Sequence, residues 1–177
     1  MNNNKTYLKH TWADPKLVAK KSKIDGMGVF TEGDIKAGET LFIWGGEKVS
    51  MKDLDDSRYH ILTLVPIDNE TYLGLPIEDD YKCVEELMNH SCDANTWLND
   101  EVTVVARRDI KKGEEVTLDH ATWDNDEQWD YTENDECTCG SSDCRKNLTS
   151  KDWMIPSVQQ KYAGHFSPYI AELISKL

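Results

Sequence analysis

Three cysteines within a short segment are the side chains of this sequence that could most directly do chemistry. Cys137, Cys139 and Cys144 lie around a glycine, and structural zinc prefers thiolate ligands, four in a tetrahedron. The spacing therefore predicts a zinc site whose fourth ligand is Cys83, Cys92 or one of the five histidines. Three unligated thiols are the less favoured alternative, because clustered thiols have few other uses in a reducing compartment.

A polar segment at residues 89–95, Asn-His-Ser-Cys-Asp-Ala-Asn, is the second candidate for a functional role. It follows an apolar stretch with helical spacing, and such polar residues must satisfy their own backbone or bind something. Taken alone, the segment is most simply the exit of a helix, since most loops only connect elements. Gly26 and Gly28 indicate either a close approach of the backbone to another group or a turn with positive φ.

Together these segments resemble the SET domain, and they occur in the order that this family has. Residues 26–30 and 34–39 resemble its opening, residues 89–95 its Asn-His-Ser-Cys-x-Pro-Asn segment, and residues 113–120 its Gly-Glu-Glu-Leu-Thr-x-Asp-Tyr strand. The cysteine cluster followed by Arg145 is similar to the post-SET zinc motif of the family.

The resemblance implies a mostly β fold with short helices, in which small curved sheets surround a pseudoknot formed by the Asn-His-Ser segment. It implies a SET domain at 15–123, an acidic excursion with the zinc loop at 124–148 and a helical C-terminal tail at 149–177. Members of the family are mainly protein-lysine methyltransferases that use S-adenosylmethionine. We therefore expect this chain to transfer a methyl group from that cofactor to a lysine side chain of a protein.

The motifs of the family imply roles for individual residues. Those implied to bind the cofactor are Met27 and Gly28 through their backbone, Tyr59, Asn89, His90 and His120. The Cys of the Asn-His-Ser-Cys segment supplies the fourth zinc ligand in this family, which selects Cys92 to join Cys137, Cys139 and Cys144. Cys83 is then expected to be a buried, inert thiol.

Three positions at the implied methyl-transfer site depart from the family pattern. His120 and Trp44 each replace a tyrosine, and Leu118 stands where many members have an aromatic residue. In addition, Glu86 stands where an arginine is common. His120 is interpreted as a polar, orienting group that accepts a hydrogen bond when neutral, as the mark of an altered substrate or rate, or as the mark of a lapsed enzyme. The alternative function is therefore a catalytically impaired SET-like module that binds basic protein segments.

The expected reaction does not depend on one particular catalytic side chain. Methyl transfer is an in-line displacement from a sulfonium to a neutral amine, and orientation contributes roughly 7–11 kcal/mol at best. The lysine must lose its proton against a solution pKa of about 10.4, and a dry channel beside a sulfonium favours the neutral amine. A histidine in place of the tyrosine is therefore compatible with activity, which would fall as pH drops through about 6.5 if its pKa is unshifted.

The overall charge restricts the partners. The chain has 20 Lys and Arg against 33 Asp and Glu, a net charge of −13, which argues against direct nucleic-acid binding and favours a basic protein segment as substrate. No apolar run approaches the about 18 residues of a membrane span, and the start lacks the apolar core of a signal peptide. We expect a soluble, intracellular protein with no membrane partner, cytoplasmic if it comes from a prokaryote.

The elements that must position these residues are predicted to be short. Apolar runs predict strands at 17–19, 29–30, 41–44, 102–106 and 116–118, and a hairpin that pairs 60–65 with 71–75. Residues 80–88 have helical spacing, and the C-terminal tail has prolines near two predicted helix starts, Pro156 and Pro168. Seven of the thirteen residues at 124–136 are acidic, which predicts a solvated excursion.

Overall fold

The structure is a computed structural model that describes residues 5–54, 58–60, 63–79, 81–82, 84–125 and 136–177. The described strands are β1 Trp12–Ala13, β2 Leu17–Lys21, β3 Met27–Thr31, β4 Thr40–Ile43, β5 Glu47–Ser50, β6 Val65–Pro66, β7 Thr71–Gly74, β8 Thr96–Leu98, β9 Thr103–Ala106 and β10 Glu115–Val116. The described helices are α1 Pro156–Lys161, α2 Pro168–Ile174 and 3₁₀ helices that include Val84–Leu87, His120–Thr122 and Asp152–Met154. The prediction of a mostly β fold with short helices is confirmed.

The strands form three small antiparallel sheets, with strand orders β1-β4-β9-β8, β10-β3-β2 and β5-β7-β6. Their apolar residues meet in one main core, to which the first two sheets contribute completely buried side chains such as Val29, Leu41, Phe42, Val104 and Val116. Burying such side chains stabilises each by about 1.5–3 kcal/mol. Because every sheet is narrow, the loops between the sheets lie close enough together to build a site.

The predicted hairpin between residues 60–65 and 71–75 is shorter than expected. Among the described residues of the first predicted strand and its end, Val65 and Pro66 pair with β7, while β5 pairs with β7 along four residues. Beyond Pro66, the Ile67 N–H still donates to the Thr71 carbonyl at 3.0 Å, so the pairing that falls short of the prediction is on the side before Val65. Residues 61–62 lie outside the described part of the chain, as do residues 80 and 83 of the predicted helix at 80–88. The described part of that helix is the single 3₁₀ turn Val84–Leu87.

The polar segment at 89–95 runs beside the strand that leads from β10 to the helix at His120. His90 and Leu118 form a parallel bridge, in which the Leu118 N–H donates to the Asn89 carbonyl at 3.2 Å. The Asn95 side chain adds two hydrogen bonds, one to the Glu115 carbonyl at 2.7 Å and one from the Thr117 N–H at 2.9 Å. This seam satisfies a backbone that could not pack as core.

The C-terminal tail packs on the outside of this seam. Pro156 and Pro168 begin α1 and α2, as their fixed φ favours. Tyr162 is completely buried, and its hydroxyl accepts the N–H of Ala94 at 3.3 Å. His165 stacks on Trp97 with ring centroids 3.5 Å apart. The tail is therefore an integral part of the fold and covers the segment that carries Cys92.

Among the described residues, none of the helices is long and apolar enough to cross a bilayer.

Candidate functional site

Four cysteine thiols converge at the end of the polar segment. The sulfur atoms of Cys92, Cys137, Cys139 and Cys144 all lie within 4.8 Å of one another. Tetrahedral Zn–S bonds of about 2.3 Å place sulfur atoms about 3.8 Å apart, so a small contraction of the cluster would complete such a site. The cluster can hold a metal ion, and it includes the residue that the resemblance selected as the fourth ligand. Cys83 lies outside the described residues.

The loop around these thiols is closed by its own backbone. The Cys137 N–H donates to the Lys146 carbonyl at 2.7 Å, and Lys146 adopts a positive φ of 65°. The backbone N–H of Arg145 points at the sulfur of Cys92 at 3.3 Å. Burial raises the pKa of the Cys92 thiol to about 12, and this N–H donor opposes the shift by stabilising the thiolate that a metal requires.

His90 links the thiol cluster to the implied transfer site. Its Nδ1 accepts the backbone N–H of His120 at 3.3 Å, which assigns the ring proton to Nε2, and Nε2 lies 3.3 Å from the sulfur of Cys92. Burial lowers the pKa of His90 to about 3, although Asp119 opposes the shift, so the ring is neutral. Both ring nitrogens contact groups of the protein, so His90 fixes the positions of Cys92 and His120 relative to each other.

Asn89 joins the glycine turn to β10. Its amide nitrogen donates to the Met27 carbonyl at 3.1 Å and to the Glu115 carboxylate at 2.7 Å. A Cβ on Gly28 would lie 2.1 Å from that carboxylate and 2.9 Å from the amide nitrogen. Gly28 is therefore needed for close approach, whereas Gly26 has the positive φ, 38°. Met27, Gly28 and Asn89 are brought together, as the resemblance implied.

Tyr59 lies in a different cluster, with Val49 and Tyr72. Its hydroxyl donates to Glu47 of β5 at 2.8 Å, and this hydrogen bond is the main reason why the pKa of Tyr59 is raised. The described contacts of Tyr59 thus lie in the β5-β7-β6 sheet, and they do not connect it to Asn89 or His90.

A buried ion network fixes the end of the strand that carries His120. Both oxygens of Asp119 accept guanidinium N–H groups of Arg145 at 2.7 Å, and the third guanidinium nitrogen donates to Asp152 at 2.5 Å. Burial alone raises the pKa of Asp119, but these hydrogen bonds and the nearby charges lower it overall. Asp119 also caps the helix His120–Thr122 by accepting the Ala121 N–H at 3.1 Å.

A cavity of about 120 Å³ lies on the other side of His120. All three residues of the implied transfer site, Trp44, Leu118 and His120, line it, and Trp123 stands 5.4 Å from Trp44 between ring centroids. His120 is half-buried, and burial lowers its pKa below 6.5 despite the opposing charge of Asp119. The imidazole is therefore neutral near pH 7 and able to accept a hydrogen bond from a group in the cavity.

Several residues of this region escape sequence reasoning. Glu115 faces Asn89, Trp123 lines the cavity, and Tyr162 covers the polar segment. Arg145 was visible only as a neighbour of the cysteines. Glu115 could have been found from the sequence, because it is the second glutamate of the Gly-Glu-Glu motif. Trp123, Tyr162 and Arg145 reach the site through long-range contacts that no local motif indicates.

This arrangement of small sheets, a polar seam and a four-cysteine cluster defines a SET-type domain. The sequence profile of the family described as SET domain matches residues 26–121, which is more than half of the 177 residues. The chain belongs to the SET domain family.

The chain is also similar to named relatives. It is 28% identical over 156 residues to histone-lysine N-methyltransferase ATX2 of Arabidopsis thaliana and 30% identical over 145 residues to histone-lysine N-methyltransferase TRX1 of Oryza sativa subsp. japonica. These matches cover 79% and 73% of the chain but only 13% of each relative. A match to histone-lysine N-methyltransferase ASHH3 of Arabidopsis thaliana, 26% identical, covers 84% of the chain and 42% of the relative. The chain thus spans less than half the length of each of these relatives.

The Asp119–Arg145 pair yields a stability prediction. Replacing Arg145 with Met leaves a buried, unpaired carboxylate, which should lower the free energy of unfolding by about 3–5 kcal/mol. The matched control is Arg108→Met, because Arg108 pairs with Glu114 on the surface, where such a pair contributes about 0–1 kcal/mol. Denaturation in guanidinium chloride gives the free energy of unfolding of both variants. An equal decrease in both would contradict the structural role given to Arg145.

Proposed function

We propose that this chain transfers a methyl group from S-adenosylmethionine to a lysine side chain of a protein substrate. The observation that carries the proposal is the cavity, which brings Trp44 together with Leu118 and His120 beside the Asn89–His90 segment. The names of the relatives, all histone-lysine N-methyltransferases, favour the same reaction. The acidic balance of the chain, −13, supports a basic segment as substrate.

The residues proposed to hold the cofactor are those around the glycine turn. Asn89 ties the Met27 carbonyl to Glu115, and Gly28 leaves no side chain between them, so the turn presents backbone at close range. A methyl sulfonium supplies the electrophilic carbon when the cofactor is bound. The chain contributes placement: the His90 ring supports the backbone of His120, and His120 reaches the cavity.

Within the cavity, aromatic and apolar walls exclude water from the amine. Trp44, Trp123 and Leu118 provide those walls, and a dry environment favours the neutral form of a lysine. The neutral imidazole of His120 can accept one amine N–H, which orients the nitrogen lone pair. We assign His120 the orienting role of the tyrosine that the family has at this position.

We further propose that the metal of the four-cysteine cluster is zinc, because an all-thiolate tetrahedral set is typical of structural zinc. Elemental analysis of the purified protein should give one zinc per chain. Cys139→Ser should lose the metal, whereas Cys83→Ser, a matched thiol-to-hydroxyl change, should retain it. Stoichiometric zinc in a Cys92→Ser, Cys139→Ser double variant would exclude this site.

Asn89 offers a test of cofactor binding. Asn89→Ala removes the amide that joins Met27 to Glu115 and so releases the glycine turn that is proposed to hold the cofactor. Calorimetric titration should show that S-adenosylmethionine binds more weakly by about 1–3 kcal/mol, the effect of losing one buried polar partner. Lys36→Ala, which removes a surface ion pair with Asp109, is the control. If the zinc-loaded parent protein binds no cofactor, the proposed function is wrong.

His120 offers a test of the reaction. Methyl-labelled S-adenosylmethionine with recombinant histone H3 should yield labelled lysine. Because the pKa of His120 is lowered, the imidazole stays neutral as pH falls to about 6.5 and protonates only below that. The rate should therefore show a step below about pH 6.5, on top of the gradual rise with pH that lysine deprotonation causes. His120→Tyr should abolish the step and retain the rise.

Two other outcomes are informative. An inactive parent that gains methyl transfer in His120→Tyr would favour the impaired binding module. Identical pH profiles for the two proteins would show that His120 has no part in the chemistry.

A further inference from the structure

Glu85 carries a buried carboxylate that the fold leaves unpaired. It lies in the 3₁₀ turn Val84–Leu87 and lines the same cavity as Trp44 and His120. Both its oxygens are shielded from solvent, and neither has a hydrogen-bond partner among the residues that the structure describes. A shielded carboxylate without a partner is costly, so its presence calls for a partner that the described part of the chain does not supply.

The chemistry of the cavity favours a cation as that partner. Carboxylate oxygens only accept hydrogen bonds, and an ammonium group only donates them. The indole rings of Trp44 and Trp123 line the same space, and their faces attract a cation as well. Glu86, which also lines the cavity, adds a second acidic group, and burial followed by the charge of Glu85 raises its pKa.

The size of the cavity decides which cation it takes. A volume of about 120 Å³ equals the liquid volume of about four water molecules. Pockets for ligands of drug size measure about 300–1,000 Å³, so this one is too small for a whole nucleoside cofactor. It suits an unbranched alkyl chain that ends in one charged group.

We infer that Glu85 is the specificity-determining residue that holds the ammonium end of the substrate lysine in the cavity beside His120. This inference rests on the proposed function and names the group that selects its substrate. Glu85 recognises the charged amine on entry and then accepts its proton, so the amine reacts as the neutral nucleophile while the Glu85 carboxyl group holds the proton. A neutral side chain of the same length would leave the carboxylate unpaired and be rejected.

The test uses a small mimic of the lysine side chain and needs no methyl transfer. n-Butylammonium chloride is titrated into the full chain while tryptophan fluorescence is recorded, since Trp44 and Trp123 line the cavity. 1-Butanol is the neutral probe of matched length. The parent should bind n-butylammonium in a saturable manner and about tenfold or more tightly than 1-butanol, as expected for a charge-assisted hydrogen bond.

Glu85→Gln is the decisive variant, and Glu78→Gln, at an exposed glutamate that does not line the cavity, is the matched control. Glu85→Gln should weaken n-butylammonium binding by about tenfold or more, while Glu78→Gln leaves it unchanged. Thermal melting should show that Glu85→Gln is no less stable than the parent, because the change removes an unpaired buried charge.

Equal binding of n-butylammonium to the parent and to Glu85→Gln would overturn the inference. So would equal affinity of the parent for the ammonium and the alcohol, an outcome that requires no variant to fold. If the histone assay shows methyl transfer and these titrations fail, the proposed function survives without a role for Glu85. If the titrations succeed and the assay fails, the cavity selects an amine that the chain does not methylate.

Discussion

The buried ion pair between Asp119 and Arg145 is the interaction on which the placement of the functional residues depends. Removing two charges from water costs several kcal/mol per ion, and only complete hydrogen bonding repays it. Here both carboxylate oxygens of Asp119 and three guanidinium nitrogens of Arg145 are engaged, with Asp152 as the third member. One favourable geometry therefore fixes the end of a strand, the cysteine loop and the C-terminal tail relative to one another.

A short chain of contacts connects this pair to the cavity. The backbone of Arg145 meets the sulfur of Cys92, the ring of His90 spans from that sulfur to the backbone of His120, and Asp119 caps the helix on which His120 lies. A metal ion on the cysteines would hold Cys92 in place and, through His90, the position of His120. The metal site thus supports the geometry of the cavity, although neither its ligands nor its loop line that cavity.

The sequence allowed the local features of the fold to be predicted far better than the long-range ones. Strands such as β3 and β9 follow from their apolar runs, and the cysteine spacing indicated the thiol cluster. Tyr59 shows the limit, since its hydroxyl pairs with Glu47 across a sheet that no local pattern specifies. Glu85 shows the same limit more clearly. Its apolar neighbours predict a helix, but only the packing of distant tryptophans places its carboxylate in the lining of a cavity.

The charge of this domain acts at two ranges, and the two have different consequences. The net charge of −13 attracts any basic segment, but between exposed groups such attraction is screened beyond about 8 Å at physiological salt. The net charge therefore raises the rate at which basic segments meet the domain, but it does not discriminate between individual lysines. The carboxylate of Glu85 is shielded from water and its counterions, so it is felt at full strength only by a cation that enters the cavity. The charge of the whole surface thus sets how often a basic segment meets the domain. Glu85, in the mostly apolar cavity, selects an extended, charged side chain.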